Sequence, residues 1–199
     1  MIDVFADEYK LIKSNSVKNL VWNCFEVVPE YFWKIPSSST GHYHPKDEFV
    51  EGGLVIHTKR TVRVAVHICD ALSIIGLERD CVIAAALMHD VCKNGISEDK
   101  GHTVDGHGYL WMELARSRMT KDKFISNHVY RTISRLILYH MGKFDMPYIL
   151  DWSDMLATCV YLADYISSRR DVLVDIEEVQ DGEIPKENGR KRCSDRCTV

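Results

Sequence analysis

Residues 81–88 read CVIAAALM and run directly into His89 and Asp90. A helix that is apolar almost all round belongs at the centre of a protein, so other segments must pack about this one, and its polar end must lie at the edge of the core. The rest of the chain supplies those segments. Val17, Leu20, Val21, Cys24, Phe25 and Val28 have the three-and-four spacing of an amphipathic helix over 15–28, with Asn15 or Ser16 able to cap it. Leu54, His57, Thr61, Val64, Ala65, Ile68 and Leu72 share one face of a helix that ends near Gly76, and the central helix starts at about Arg79. A further helix opens near His107 and carries Leu110, Trp111, Leu114 and Ala115. Two more present Ile133, Leu136, Ile137 and His140 on one face and Leu156, Ala157, Val160, Tyr161 and Asp164 on another. No stretch alternates as a strand does, so the expected class is all-α, a helical bundle.

Between helices, the periodicity breaks over Pro29–Gly53, where prolines bracket Tyr31, Phe32 and Trp33 before SSSTGHYHP and a Gly52-Gly53 pair. This reads as an ordered loop, and long loops in compact domains are often functional. The aromatic group serves better as a hydrophobic anchor than as a stacking platform for a base. Residues 93–106 contain four glycine or asparagine turn signals and read as a second loop. Beyond 172 the chain is highly charged, which suits a short pairing followed by a loose tail. The expected organisation is one domain over 1–175, with cover helices in 1–30 and the core in 50–170, then a charged tail over 176–199.

Bulk properties exclude several classes. With 199 residues, 46% of them hydrophobic, a single domain can bury a real core. A formal net charge of -4 offers no basic field for tight nonspecific binding to duplex nucleic acid. No apolar run is long enough to span a membrane, and MIDVFADEYK lacks the basic-then-apolar profile of a signal peptide. The expectation is therefore a cytoplasmic protein, bacterial or in a host cell if phage-encoded, with homo-oligomers open. The seven cysteines are odd in number and most lie in apolar helical stretches, as reduced thiols do. Cys193 and Cys197 in the tail could bind metal, but two thiols without a second pair nearby are usually incidental.

Histidine and aspartate fall repeatedly on the apolar stripes rather than on the solvent faces. Burying such groups is costly unless something pairs with them. A lone histidine on an apolar face is commonly a core residue bonded to a carbonyl; an ordered set is different. His57 sits on a buried face, His89 and Asp90 end the most apolar helix, His107 opens another helix, His140 closes one, and Asp164 lies inside the last. All can converge at one end of a bundle, where helical proteins place metal sites. Imidazole with carboxylate and no thiolate suits Mn, Fe, Co, Ni or Zn.

The order His57, His89-Asp90, His107, His140, Asp164 resembles the H…HD…H…H…D pattern of the HD superfamily over residues 50–170. GGLVIHTKR, AALMHDVCKNG, YHMGKF and YLADYISSRRD are similar to family signatures, and SSSTGHYHP resembles the segment before the first ligand in small phage or bacterial HD-domain proteins. The resemblance implies that His57, His89, Asp90 and Asp164 hold one metal ion. His107 and His140 are the extra pair of two-metal members, with Asp90 bridging the ions. His102 competes with His107 for the third histidine, and His107 is preferred because it begins an amphipathic helix. If one metal binds, His107 and His140 touch substrate instead. Mn or Fe is favoured.

The implied activity is phosphohydrolysis of a small phosphorylated substrate, a nucleotide above all. A water between two ions becomes the nucleophile, and the ions neutralise phosphate oxygens. Lys93, at the HDxxK position, resembles the family lysine that faces the phosphate, where an ammonium stabilises developing charge; the alternative is a solvated loop lysine. Arg169 and Arg170 could add phosphate contacts, though a solvated helix end is the plainer role. His44, with His42, could line the pocket entrance, and His67 and His128 are structural or exposed. A mixed-valence di-iron HD oxygenase uses nearly the same ligands, an exoribonuclease-like HD nuclease carries similar segments, and a non-catalytic binding protein is the third possibility. Fold-level resemblance identifies no substrate.

Overall fold

The computed structural model describes residues 2–38, 40–97, 99–118, 128–144 and 150–172, and these hold seven α-helices and no strand. The helices are α1 (Ala6–Leu11), α2 (Asn15–Phe25), α3 (Gly53–Ala71), α4 (Gly76–Met88), α5 (His107–Arg118), α6 (His128–Leu138) and α7 (Met155–Ser167). The all-α class expected from the periodicities is the class observed. The tail over 176–199, with Cys193 and Cys197, lies outside the described residues, as does the pairing expected just before it.

The apolar helix α4 takes the central place its composition requires, packed on by α1, α2, α3, α6 and α7. Residues Cys81 to Met88 are all buried. The N-terminal helices form the cover. They are tied to α4 through the buried Asp80 carboxylate, which accepts the main-chain N–H groups of Lys13 (3.0 Å) and Ser14 (2.6 Å). An aspartate facing backbone donors at the mouth of a helix satisfies groups the helix itself cannot.

Helix boundaries differ from the sequence reading in three places. Ser14, not Asn15 or Ser16, is the residue that caps α2, and it does so without a side-chain bond. The third helix stops at Ala71 and leaves Leu72 exposed, because the chain turns through a positive φ at Ser73. Gly76, read as the end of that helix, opens α4 instead, also at positive φ.

The loop before α3 is ordered by 3-10 turns at Glu30–Trp33 and Lys46–Glu48. Phe32 and Trp33 pack with Phe5 and Phe25, which is the anchoring role expected of the aromatic group. Tyr31 does more: its hydroxyl donates to the Gly95 carbonyl (2.5 Å) and accepts the Asn94 N–H (3.1 Å). Those bonds pin the turn that leaves α4 and carries Lys93. No described helix is long and apolar enough to cross a membrane.

Candidate metal centre

Because α4 is apolar until its last turn, its first polar residues emerge where the surrounding helices end. His89 follows Met88 with helical backbone angles as the helix's C-cap, and Asp90 lies in the turn that begins there. Around this point α3 contributes His57, the start of α5 contributes His107, the turn after α6 contributes His140, and α7 contributes Asp164. His57, His89 and His140 are wholly shielded from solvent.

The six side chains form two groups that share Asp90. In the first, His57 Nε2 lies 3.4 Å from His89 Nε2 and 3.0 Å from Asp164 Oδ1. Asp164 Oδ1 is 3.7 Å from His89 Nε2, and Asp90 Oδ2 is 3.5 Å from His89 Nε2 and 3.9 Å from His57 Nε2. In the second, Asp90 Oδ1 lies 3.2 Å from His107 Nε2 and 3.7 Å from His140 Nε2, and those two nitrogens are 2.9 Å apart. Metal–ligand bonds of about 2.0–2.2 Å place neighbouring donors about 3–3.5 Å apart, close to the separations found here.

Hydrogen bonding on the far side of three of the four rings fits a cation as well. His89 Nδ1 is bonded to the Ala86 carbonyl (2.8 Å), His107 Nδ1 to Val104 (3.1 Å) and His140 Nδ1 to Ile137 (2.6 Å). A carbonyl only accepts, so each Nδ1 carries the proton, and in the neutral ring Nε2 turns its lone pair inward. Lone pairs facing one another at such short range repel, and a shared cation relieves that. Burial drives His89 down to about 4 against the charges of Asp90 and Asp164, so its ring is neutral. Burial also opposes a charge on His57, but the hydrogen bond to Asp164 and the nearby Glu48 carboxylate outweigh it and raise that ring to about 9. The negative field that favours a proton there favours a metal ion equally. Asp90 would be raised by burial, yet the Lys93 ammonium beside it holds its carboxyl well below the usual carboxylate range.

A cavity of about 240 Å³ opens beside the cluster, with Asp90, His140 and Asp164 on its floor. Lys93 and His44, both expected near substrate, lie on its wall. Lys93 Nζ is 2.5 Å from Asp90 Oδ2 and largely buried, which is not the position of a solvated loop lysine. Arg169 is also on the wall, its guanidinium 4.8 Å from the Tyr43 ring centroid and 4.5 Å from that of Tyr165. Arg170 is exposed and meets this region through its main-chain N–H, which donates to the Tyr43 carbonyl (2.7 Å). His102 is exposed and bonded to the Lys100 carbonyl, away from the cluster that His107 joins. His42, His67 and His128 are on the surface.

Sequence reasoning missed the aromatic side of the cavity, formed by Phe144, Tyr161 and Tyr165. Tyr161 was counted on an apolar stripe; its place on the wall depends on the turn after His140, which periodicity does not register. Glu48 was missed as well. It is fully buried against His57, and no apolar periodicity in its loop marks it.

A family model described as HD domain matches residues 54–169. Neither a curated protein nor a solved structure matches the chain.

Proposed function

Because the chain belongs to the HD-domain family of metal-dependent hydrolases, we propose that it is a phosphohydrolase with a two-metal centre that cleaves a phosphoester or phosphoanhydride bond of a small substrate, foremost a nucleotide. The observation that carries this reading is the division of Asp90, one oxygen toward His57 and His89 and the other toward His107 and His140. His57, His89, Asp90 and Asp164 would hold one divalent ion; Asp90, His107 and His140 would hold the second. Manganese or iron is favoured, and cobalt, nickel and zinc suit the same donors. Such ions supply Lewis acidity and a water acidic enough to attack phosphorus near neutral pH.

The chain's own groups do the rest. Carbonyl-held Nδ1 protons keep the Nε2 atoms of His89, His107 and His140 aimed at the centre. Burial would discharge Lys93, but Asp90 and Asp164 more than offset it and raise its pKa. Lys93 is thereby a fixed positive charge for a phosphoryl oxygen, in a low-dielectric setting where such a charge acts strongly. Arg169, set against the Tyr43 and Tyr165 rings, would offer its guanidinium to a more distant anionic group. The aromatic wall of Phe144, Tyr161 and Tyr165 suits a flat or apolar moiety of the same substrate.

A screen of nucleotides and simple phosphomonoesters with manganese-supplemented protein, read as released phosphate, tests the reading. Phosphate release that Asp90→Ala abolishes is the expected result. Oxygen uptake by iron-loaded protein, with no phosphate released from any substrate, would replace it with the oxygenase reading.

A further inference from the structure

Glu48 is a fully buried carboxylate outside the proposed donor set. A charge in that position persists only if it is paired and hydrogen-bonded. Its Oε2 accepts the Ser37 hydroxyl (2.9 Å), lies 2.7 Å from His44 Nδ1, and is 3.4 Å from His57 Nδ1; its Oε1 is paired with the Arg60 guanidinium. The backbone is fixed too. The Glu48 carbonyl accepts the Ser37 N–H (3.0 Å) and lies so close to Gly53 that a Cβ there would come within 2.0 Å of its oxygen. Only glycine at the first residue of α3 lets the loop seat Glu48 this close.

His57 needs such a neighbour for a reason its helix supplies. His89, His107 and His140 stand at helix ends or turns, and each bonds its Nδ1 to the main-chain carbonyl three residues back. His57 is inside α3, where carbonyls are engaged in the helix, and its Nδ1 is buried without a hydrogen bond of normal geometry; its near neighbour is Glu48 Oε2 at 3.4 Å. What that nitrogen faces is Glu48. We infer that Glu48 is the positioning residue for His57: its carboxylate, anchored by Ser37, His44 and Arg60, sets the ring's orientation and would hold the ring's proton on Nδ1 once an ion takes the place of the Nε2 hydrogen bond to Asp164. Nε2 is then left as a stronger donor to the half of the centre that contains Asp164. A carboxylate behind a metal-binding imidazole commonly acts in this way. The inference rests on the two-metal reading above.

Cobalt(II) titration of the full-length protein, followed by calorimetry and visible absorption, tests it by comparing wild type with Glu48→Gln. Wild type should bind cobalt in two steps. Glu48→Gln should weaken one step by roughly 10- to 100-fold and shift its absorption bands while leaving the other step in place. Two unchanged steps, or equal weakening of both, would overturn the positioning role. A wild type that takes up no cobalt would overturn the proposed function, and this inference with it. If Glu48→Gln fails to fold, Ser37→Ala removes one bond that anchors the carboxylate; a smaller loss at a single step supports the role, and unchanged binding overturns it.

Discussion

Gly108 packs its backbone against Ile137 so tightly that a Cβ would lie 2.6 Å from the Ile137 carbonyl oxygen. That oxygen also accepts the Nδ1 proton of His140 (2.6 Å), and Gly108 directly follows His107. The close approach of α5 to the end of α6 is therefore what brings the Nε2 atoms of His107 and His140 to 2.9 Å.

Gly108→Ala should push the two elements apart. Overpacking of this kind costs about 1–3 kcal/mol, to be read by urea denaturation. Metal analysis should show loss of one equivalent, that held by His107 and His140, with the ion at His57 and His89 retained. A variant with wild-type stability and metal load would remove the steric explanation.

Lys93→Ala tests a charge rather than a ligand. The side chain touches Asp90 Oδ2 but is not in the donor set. Metal content should therefore stay at the wild-type level while turnover falls, by roughly 10²- to 10³-fold if the ammonium stabilises developing charge as an oxyanion-hole donor does. Unchanged steady-state kinetics would take Lys93 out of the mechanism.

Tyr31→Phe deletes a hydroxyl that satisfies the Gly95 carbonyl and the Asn94 N–H at a buried position. Leaving such groups unpaired costs about 1–3 kcal/mol. Because those bonds hold the turn that carries Lys93, activity should drop along with the urea midpoint. Loss of stability with full activity would separate the turn from the site.

The legible part of this protein was the part written in periodicity. The all-round apolar run to Met88 named the central helix, and the placement of His57, His107, His140 and Asp164 on or beside apolar stripes marked the side chains the fold gathers at one end of the bundle. The preference for His107 over His102 followed from helical context, and only His107 lies at the cluster. What stayed hidden depends on loops. Glu48 and Tyr43 reach the site through turns whose paths are set by tertiary contacts such as Gly53 against the Glu48 carbonyl and the Arg170 N–H on Tyr43. The helix ends at Ala71 and Gly76 were misplaced because backbone turns at positive φ, not side-chain pattern, decide them.

Thiol reactivity checks the core independently of the metal. Cys24, Cys69, Cys81, Cys92 and Cys159 are all buried and free. Burial pushes the Cys24 and Cys81 thiols up to about 12 and Cys69 to about 11. Since the thiolate is the reactive form, these groups should resist a thiol reagent at about pH 8 until the chain unfolds. Rapid labelling of Cys24 in the native protein, mapped by mass spectrometry, would contradict the packing of α2 on α4.

Metal analysis of purified wild type and Asp90→Ala tests the shared centre most directly, since Asp90 faces both histidine pairs, one oxygen toward each. Expected are about two equivalents of transition metal in the wild type, as a two-metal site requires, and loss of both in a variant that circular dichroism shows to be folded. A wild-type load in Asp90→Ala would contradict a centre built on that carboxylate.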